Sequence, residues 1–114
     1  MISISSHILN THLGKPAKTM LVVLEHETGD GIWSELTEEE SNDDGRVEDF
    51  DPGDSPFQPG VYRLIFDTKK YFSTIGQDSF YPSVCVVFQI DNPDQHYHIP
   101  LLLNNYGYTT YRGS

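Results

Sequence analysis

At 114 residues the chain has the length of one globular domain, long enough to bury about two-thirds of its unfolded surface without a metal or disulfide staple. Its 17 acidic residues against 7 basic ones give a formal net charge of -10, a field that repels phosphate backbones and anionic lipid and argues against nucleic-acid and membrane-surface roles. A hydrophobic content of 37%, with 7 Tyr, 6 Phe and 1 Trp, lies above the range of disordered chains and supplies bulky core material.

Short apolar runs rich in Val, Ile, Tyr and Phe, separated by Gly, Pro, Asn and Asp, make an all-β pattern. Residues 6–11 read as a first strand, closed by Gly14-Lys15-Pro16, and residues 19–26 as a second with Met20, Val22 and Leu24 on one face. Residues 33–36 form a third. The acidic stretch that follows, to Asp44-Gly45, reads as a solvated loop whose tight turn delivers Arg46 into a short strand. The Pro- and Gly-rich residues 51–60 are a loop. Residues 60–67 are a strand with Tyr62, Leu64 and Phe66 on one face. Residues 68–75 are the one plausible helix, capped by Asp67 or Thr68 and closed by Gly76.

Residues 84–91 and 95–103 read as a hairpin turning at Asn92-Pro93-Asp94, and residues 106–112 as the last strand. Pro100 cannot donate to a ladder, so it needs an edge, a bulge or a place where neighbouring backbone is absent. About eight strands at this spacing and one short helix, without repeat or linker, predict a two-sheet sandwich filling residues 1–114 as a single domain. The lone Cys85, within Val84-Cys85-Val86-Val87-Phe88, is expected to be a buried, inert thiol. No segment has the length and apolarity of a membrane span, and residues 1–7 lack the features of a secretory signal, which leaves the cytoplasm as the default compartment.

His96-Tyr97-His98 places two imidazoles on one face of a strand. A bare structural pair is the commonest reading of such a motif. A metal reading would add His7 to His96 and His98 as a three-nitrogen site; the absence of any recognised zinc spacing makes adventitious zinc more plausible than an obligate metal, and no cofactor is expected. The third reading is acid–base chemistry, because imidazoles titrate near neutrality and can share the proton transfers of an amide hydrolysis. Arg46 reads either as a surface arginine or as a planar cation gripping a planar substrate's paired polar atoms.

Three segments together resemble the transthyretin-related 5-hydroxyisourate hydrolases: Ser6-His7-Ile8-Leu9-Asn10-Thr11-His12-Leu13-Gly14-Lys15-Pro16-Ala17, then Asn42-Asp43-Asp44-Gly45-Arg46, then His96-Tyr97-His98-Ile99-Pro100-Leu101-Leu102-Leu103 with the ending Tyr111-Arg112-Gly113-Ser114. The resemblance implies a transthyretin-like sandwich of two sheets with one short helix. It also implies a homotetramer, a dimer of dimers, with sites in a channel between subunits. The implied reaction is hydrolysis of 5-hydroxyisourate to 2-oxo-4-hydroxy-4-carboxy-5-ureidoimidazoline in urate breakdown. Carried over residue by residue, the catalytic groups fall on His7, Arg46, His98 and Ser114, and the substrate-binding groups on His7, Arg46, His98 and Tyr111. Which histidine is the general base stays open. Asn10, Asn104-Asn105 and the acidic Val47-Glu48-Asp49-Phe50 depart from the family pattern, and are expected to bear on loop shape and rate rather than on reaction type. The alternative from another class is a transthyretin-like carrier of an apolar small molecule; the resemblance implies that such carriers lack this His, Arg and Tyr-Arg-Gly-Ser set.

Overall fold

The computed structural model describes residues 1–114 as nine strands and one helix. In chain order these are β1 (Ser3–Asn10), β2 (Lys15–Pro16), β3 (Leu21–Gly29), β4 (Ile32–Glu40), β5 (Arg46–Val47), β6 (Gly60–Phe66), α1 (Thr68–Thr74), β7 (Val84–Ile90), β8 (His96–Leu103) and β9 (Tyr108–Thr110). One sheet runs β2-β1-β8-β9, with β5 also pairing on β1; the other runs β4-β3-β6-β7. All ladders are antiparallel except β1 against β8, which runs parallel with Ser5 opposite His98 and His7 opposite Pro100.

Alternation explains why the two sheets meet. Along β1, Ile4 and Ile8 point inward while Ser3, Ser5, His7 and Leu9 point to the opposite face; along β6, Tyr62, Leu64 and Phe66 point inward. These side chains join Met20, Val22, Leu24, Phe50, Phe72, Leu101 and others in one core of 21 buried residues. The helix caps as expected, with the Asp67 carboxylate accepting from Lys70 N at 3.2 Å, and Gly76 adopts a positive φ of 71° just past its end.

Three sequence expectations are corrected. The run 84–88 does not bury Cys85: β7 is an edge strand with one face toward the core, so Val84 and Ile90 are buried while Cys85, Val87 and Gln89 face outward. Strands β7 and β8 are not a hairpin but belong to different sheets, and the corner at Asn92 is held by the Tyr97 hydroxyl, which accepts from Asn92 N at 3.0 Å and donates to Asn92 O at 3.2 Å. The acidic residues after Leu36 do not all form a loop, because β4 continues to Glu40. An edge strand with a solvated face accommodates Glu38 and Glu40, which also discourage further strand pairing.

Pro100 lies inside β8, opposite the point where pairing with the C-terminal strand lapses. Leu101 pairs with Thr110 and His98 bridges to Gly113, while Tyr111 and Arg112 between them pair with nothing. The missing N–H therefore orphans no strand partner, and the Thr110 hydroxyl donates to Pro100 O at 2.8 Å. Asn105, one of the departures from the family pattern, ties the β8–β9 turn to the segment after the helix by donating to Gln77 Oε1 at 3.1 Å and Asp78 O at 2.8 Å. Asn10 is likewise held at both ends of its amide, donating to the Tyr71 hydroxyl at 3.1 Å and accepting from Leu13 N at 3.1 Å.

Phe66 has no solvent exposure and sits on β6 between two paired strands. Replacing it with Ala leaves a cavity that this close-packed interior cannot close, so Phe66→Ala is expected to lower unfolding free energy by about 3–5 kcal/mol. Urea denaturation followed by tryptophan fluorescence measures this, with a loss under 1 kcal/mol contradicting the assigned core.

Candidate active site

The site is built on the outer face of the β1–β8 sheet. Side chains two apart on a strand share a face, so Ser3, Ser5 and His7 on β1 lie beside His96 and His98 on β8. Arg46 on β5 pairs across the other edge of β1, directly opposite His7. The loop before it is folded around one side chain: Asn42 Oδ1 accepts from both Asp44 N and Arg46 N, each at 3.0 Å. Gly45 then adopts a φ of 74°, where an added Cβ would run into the Ile8 carbonyl and the chain at Pro16 and Ala17. Only glycine lets this turn approach β1 closely enough to set Arg46 on the face.

A cleft of about 360 Å³ opens there, lined by Ser5, Ser6, Arg46, Val47, Glu48, His96, His98 and Ser114. Val47 is the single apolar member of that lining. The Arg46 guanidinium makes no ion pair or hydrogen bond within the fold, both ion pairs lying elsewhere at Met1–Asp94 and Arg63–Glu25. Its donors are therefore free for a ligand.

The chain's last residues are fixed above His98. Gly113 N donates to His98 O at 2.8 Å, and a Cβ on Gly113 would come within 2.6 Å of the His98 ring, so glycine is required for this close approach. Arg112 stacks over the Tyr97 ring at 4.6 Å and donates to Gln95 Oε1 at 3.0 Å. Ser114 is thereby held in the cleft.

The ring nitrogens are engaged in an ordered way. Ser5 Oγ lies 2.7 Å from His96 Nε2 and 2.7 Å from His98 Nδ1, and the Ser3 hydroxyl meets His96 Nδ1. His7 Nε2 donates to the Asp44 carbonyl at 2.9 Å. Burial first, then the neighbouring Arg46, His96 and His7, pushes the His98 pKa below the usual histidine range and so favours its neutral imidazole.

Of the residues singled out from sequence, Arg46, His98 and Ser114 line one cleft, and His7 stands on the same face close enough for its charge to bear on His98. Tyr111 lines an adjoining groove of about 320 Å³ with Val86, Val87 and Phe88 at the edges of the two sheets; His98 lines both, while Arg46 and Ser114 line only the first. The metal set sketched from His7, His96 and His98 is not assembled, since no three His, Cys, Asp or Glu side chains converge with ligating geometry. Sequence reasoning passed over Ser5 and Glu48. Their signal was the period of two, Ser5 preceding His7 and Glu48 following Arg46 by two residues along extended chain.

A two-sheet sandwich with a cationic, imidazole-lined cleft on its β1–β8 face defines a transthyretin-like protein equipped with acid–base groups. Residues 4–113 match the model of the HIUase/Transthyretin family, and the chain belongs to that family. It is 44% identical over 111 residues to the 5-hydroxyisourate hydrolase of Salmonella dublin, an alignment covering 97% of this chain and 80% of that protein. The 5-hydroxyisourate hydrolase structure from Klebsiella pneumoniae superposes with a TM-score of 0.85 at 32% identity, covering 100% of this chain and 94% of the other. Sea bream transthyretin in complex with thyroxine superposes with a TM-score of 0.86 at 30% identity, covering 96% and 93%.

Removing the Arg46 charge takes away one of the causes that depress His98. In Arg46→Ala the His98 pKa is expected to rise toward the ordinary value, read by NMR titration of the imidazole. An unchanged or lower value would show that Arg46 does not face His98.

Proposed function

We propose that this chain hydrolyses 5-hydroxyisourate, opening a cyclic amide to give 2-oxo-4-hydroxy-4-carboxy-5-ureidoimidazoline in urate breakdown. The observation that carries the reading is the convergence of a free guanidinium and a neutral imidazole in one polar cleft, on a chain 44% identical to 5-hydroxyisourate hydrolases. In this reading Arg46 binds the planar substrate's polar edge and steadies the oxyanion that forms when water adds to the ring carbonyl. His98 is the general base: its Nε2 takes the water's proton and returns it to the ring nitrogen as the C–N bond breaks. His7, its Nε2 tied to Asp44 and its Nδ1 without a partner in the fold, stands on the same face beside the cleft, and Ser114 closes the cleft wall. Tyr111 stands in the adjoining groove that His98 also lines, and borders the substrate from there rather than from the Arg46 side.

The carrier reading is the weaker one. An apolar hormone gains by burying its surface against apolar walls, whereas seven of the eight residues around this cleft are polar or charged.

Assembly into a homotetramer is part of the proposal. Strands β7 and β9 end the two sheets on the same side as the groove at Tyr111, and Phe80, Val87, Tyr106, Tyr108 and Tyr111 are exposed around them. Unpaired edges flanked by exposed apolar side chains favour association with another chain. Sedimentation equilibrium is expected to give four times the chain mass, and a monomer at micromolar concentration would refute the assembly. No helix is long and apolar enough to cross a membrane, and the reading places the reaction in the cytoplasm.

Freshly generated 5-hydroxyisourate, followed by its ultraviolet absorbance with and without chelator, tests the activity directly. His98→Ala is expected to lower kcat by about 10²–10⁴-fold, His7→Ala to lower kcat/KM, and removal of residues 111–114 to abolish turnover in a chain that stays folded. Near-normal turnover in both histidine variants overturns the site.

A further inference from the structure

The Ser3–His96–Ser5–His98 chain of contacts can run in two directions, and only one of them leaves the bare Nε2 that the reaction above calls on. A serine hydroxyl carries one proton, so Ser5, in contact with two ring nitrogens, donates to one and accepts from the other. In one arrangement Ser5 donates to His98 Nδ1, and His98 must then carry its proton on Nε2. In the other, Ser5 donates to His96 Nε2 and accepts from His98 Nδ1–H, which leaves His98 Nε2 bare. His96 follows suit, accepting from the Ser3 hydroxyl at Nδ1 in the first case and donating to it in the second.

The surroundings select between them. His98 Nε2 has no hydrogen-bond partner within the fold and is the nitrogen left for the cleft. The cleft contains the Arg46 guanidinium, which has donors only. Glu48 also lines the cleft, but of the two side chains it is Arg46 whose charge acts on His98, so an N–H on Nε2 would face the guanidinium's donors whereas a lone pair there is stabilised by its charge.

We propose that Ser5 is a positioning residue, and His96 its support, which together fix His98 in the Nδ1–H tautomer so that Nε2 faces substrate and water as a proton acceptor. When His98 takes up a proton at Nε2, its Nδ1–H donates more strongly to the Ser5 oxygen, whose own proton remains on His96 Nε2. The proton returns to the leaving nitrogen from Nε2, and no proton need travel along the chain. This assignment deepens the hydrolase reading and rests on it for its catalytic meaning, but the tautomer itself is independent of any substrate.

The experiment reads both. Long-range ¹H–¹⁵N correlation spectra of the wild-type protein above the His98 titration should show Nδ1 protonated and Nε2 bare. Ser5→Ala should shift His98 toward the Nε2–H form and lower kcat about 10- to 100-fold with little change in KM, while Ser5→Thr, which keeps the hydroxyl, should restore the tautomer and most of kcat. His96→Ala should move the tautomer in the same direction as Ser5→Ala but less far. A wild-type spectrum showing Nε2–H overturns the proposal even if Ser5→Ala fails to fold, as does a folded Ser5→Ala with unchanged tautomer and kcat. Absence of turnover in a wild type with the expected tautomer would instead refute the hydrolase reading and leave the tautomer assignment standing.

Discussion

The parallel ladder between β1 and β8 sets the registry on which the rest of the site depends. It joins the first strand of the chain to the penultimate one, putting Ser3 opposite His96, Ser5 opposite His98 and His7 opposite Pro100. Because side chains alternate, a slip of one residue would turn Ser5 and His7 into the core and bring Ile4 and Ile8 to the surface. The hydrophobic requirement of the sandwich thus enforces the polar register on its outer face. The same strand carries both the core stripe and the polar stripe beside the cleft, and neither can shift without the other.

Glycine and proline do the fine placement on this frame. Gly45 lets the Arg46 turn press onto β1, Gly113 lets the C-terminal tail lie against the His98 ring, and Pro100 spaces the ladder where that tail swings past. Each was visible as a residue type in the sequence, but its partner lies at a distance along the chain that no local pattern reports. The Asn-Asp-Asp-Gly-Arg segment is the exception. Its turn is made by Asn42 binding its own near neighbours, so the placement of Arg46 just after a tight turn was legible directly.

The face of each strand is readable from period-two alternation, which groups Met20, Val22 and Leu24 on one face and Tyr62, Leu64 and Phe66 on another; the structure turns both groups to the interior. What failed had a common cause: alternation says which residues share a face, not which strand lies beside which. Val84 to Phe88 looks buried when read as an isolated apolar run, yet β7 stands at a sheet edge with Cys85 outward. Asn92-Pro93-Asp94 has turn chemistry, but the chain uses it to change sheets. The serines at positions 3 and 5 carry no motif at all, and their contacts with the two imidazoles exist only because of the parallel pairing.

The position of Ser114 has a practical side. It lines the cleft that holds Arg46 and His98, and the residue before it is clamped against the His98 ring, whereas Met1 is exposed at the other end of the chain. A polypeptide joined directly after Ser114 would begin at the wall of that cleft. Affinity handles for purification or surface immobilisation therefore belong ahead of Met1, where they leave the cleft open.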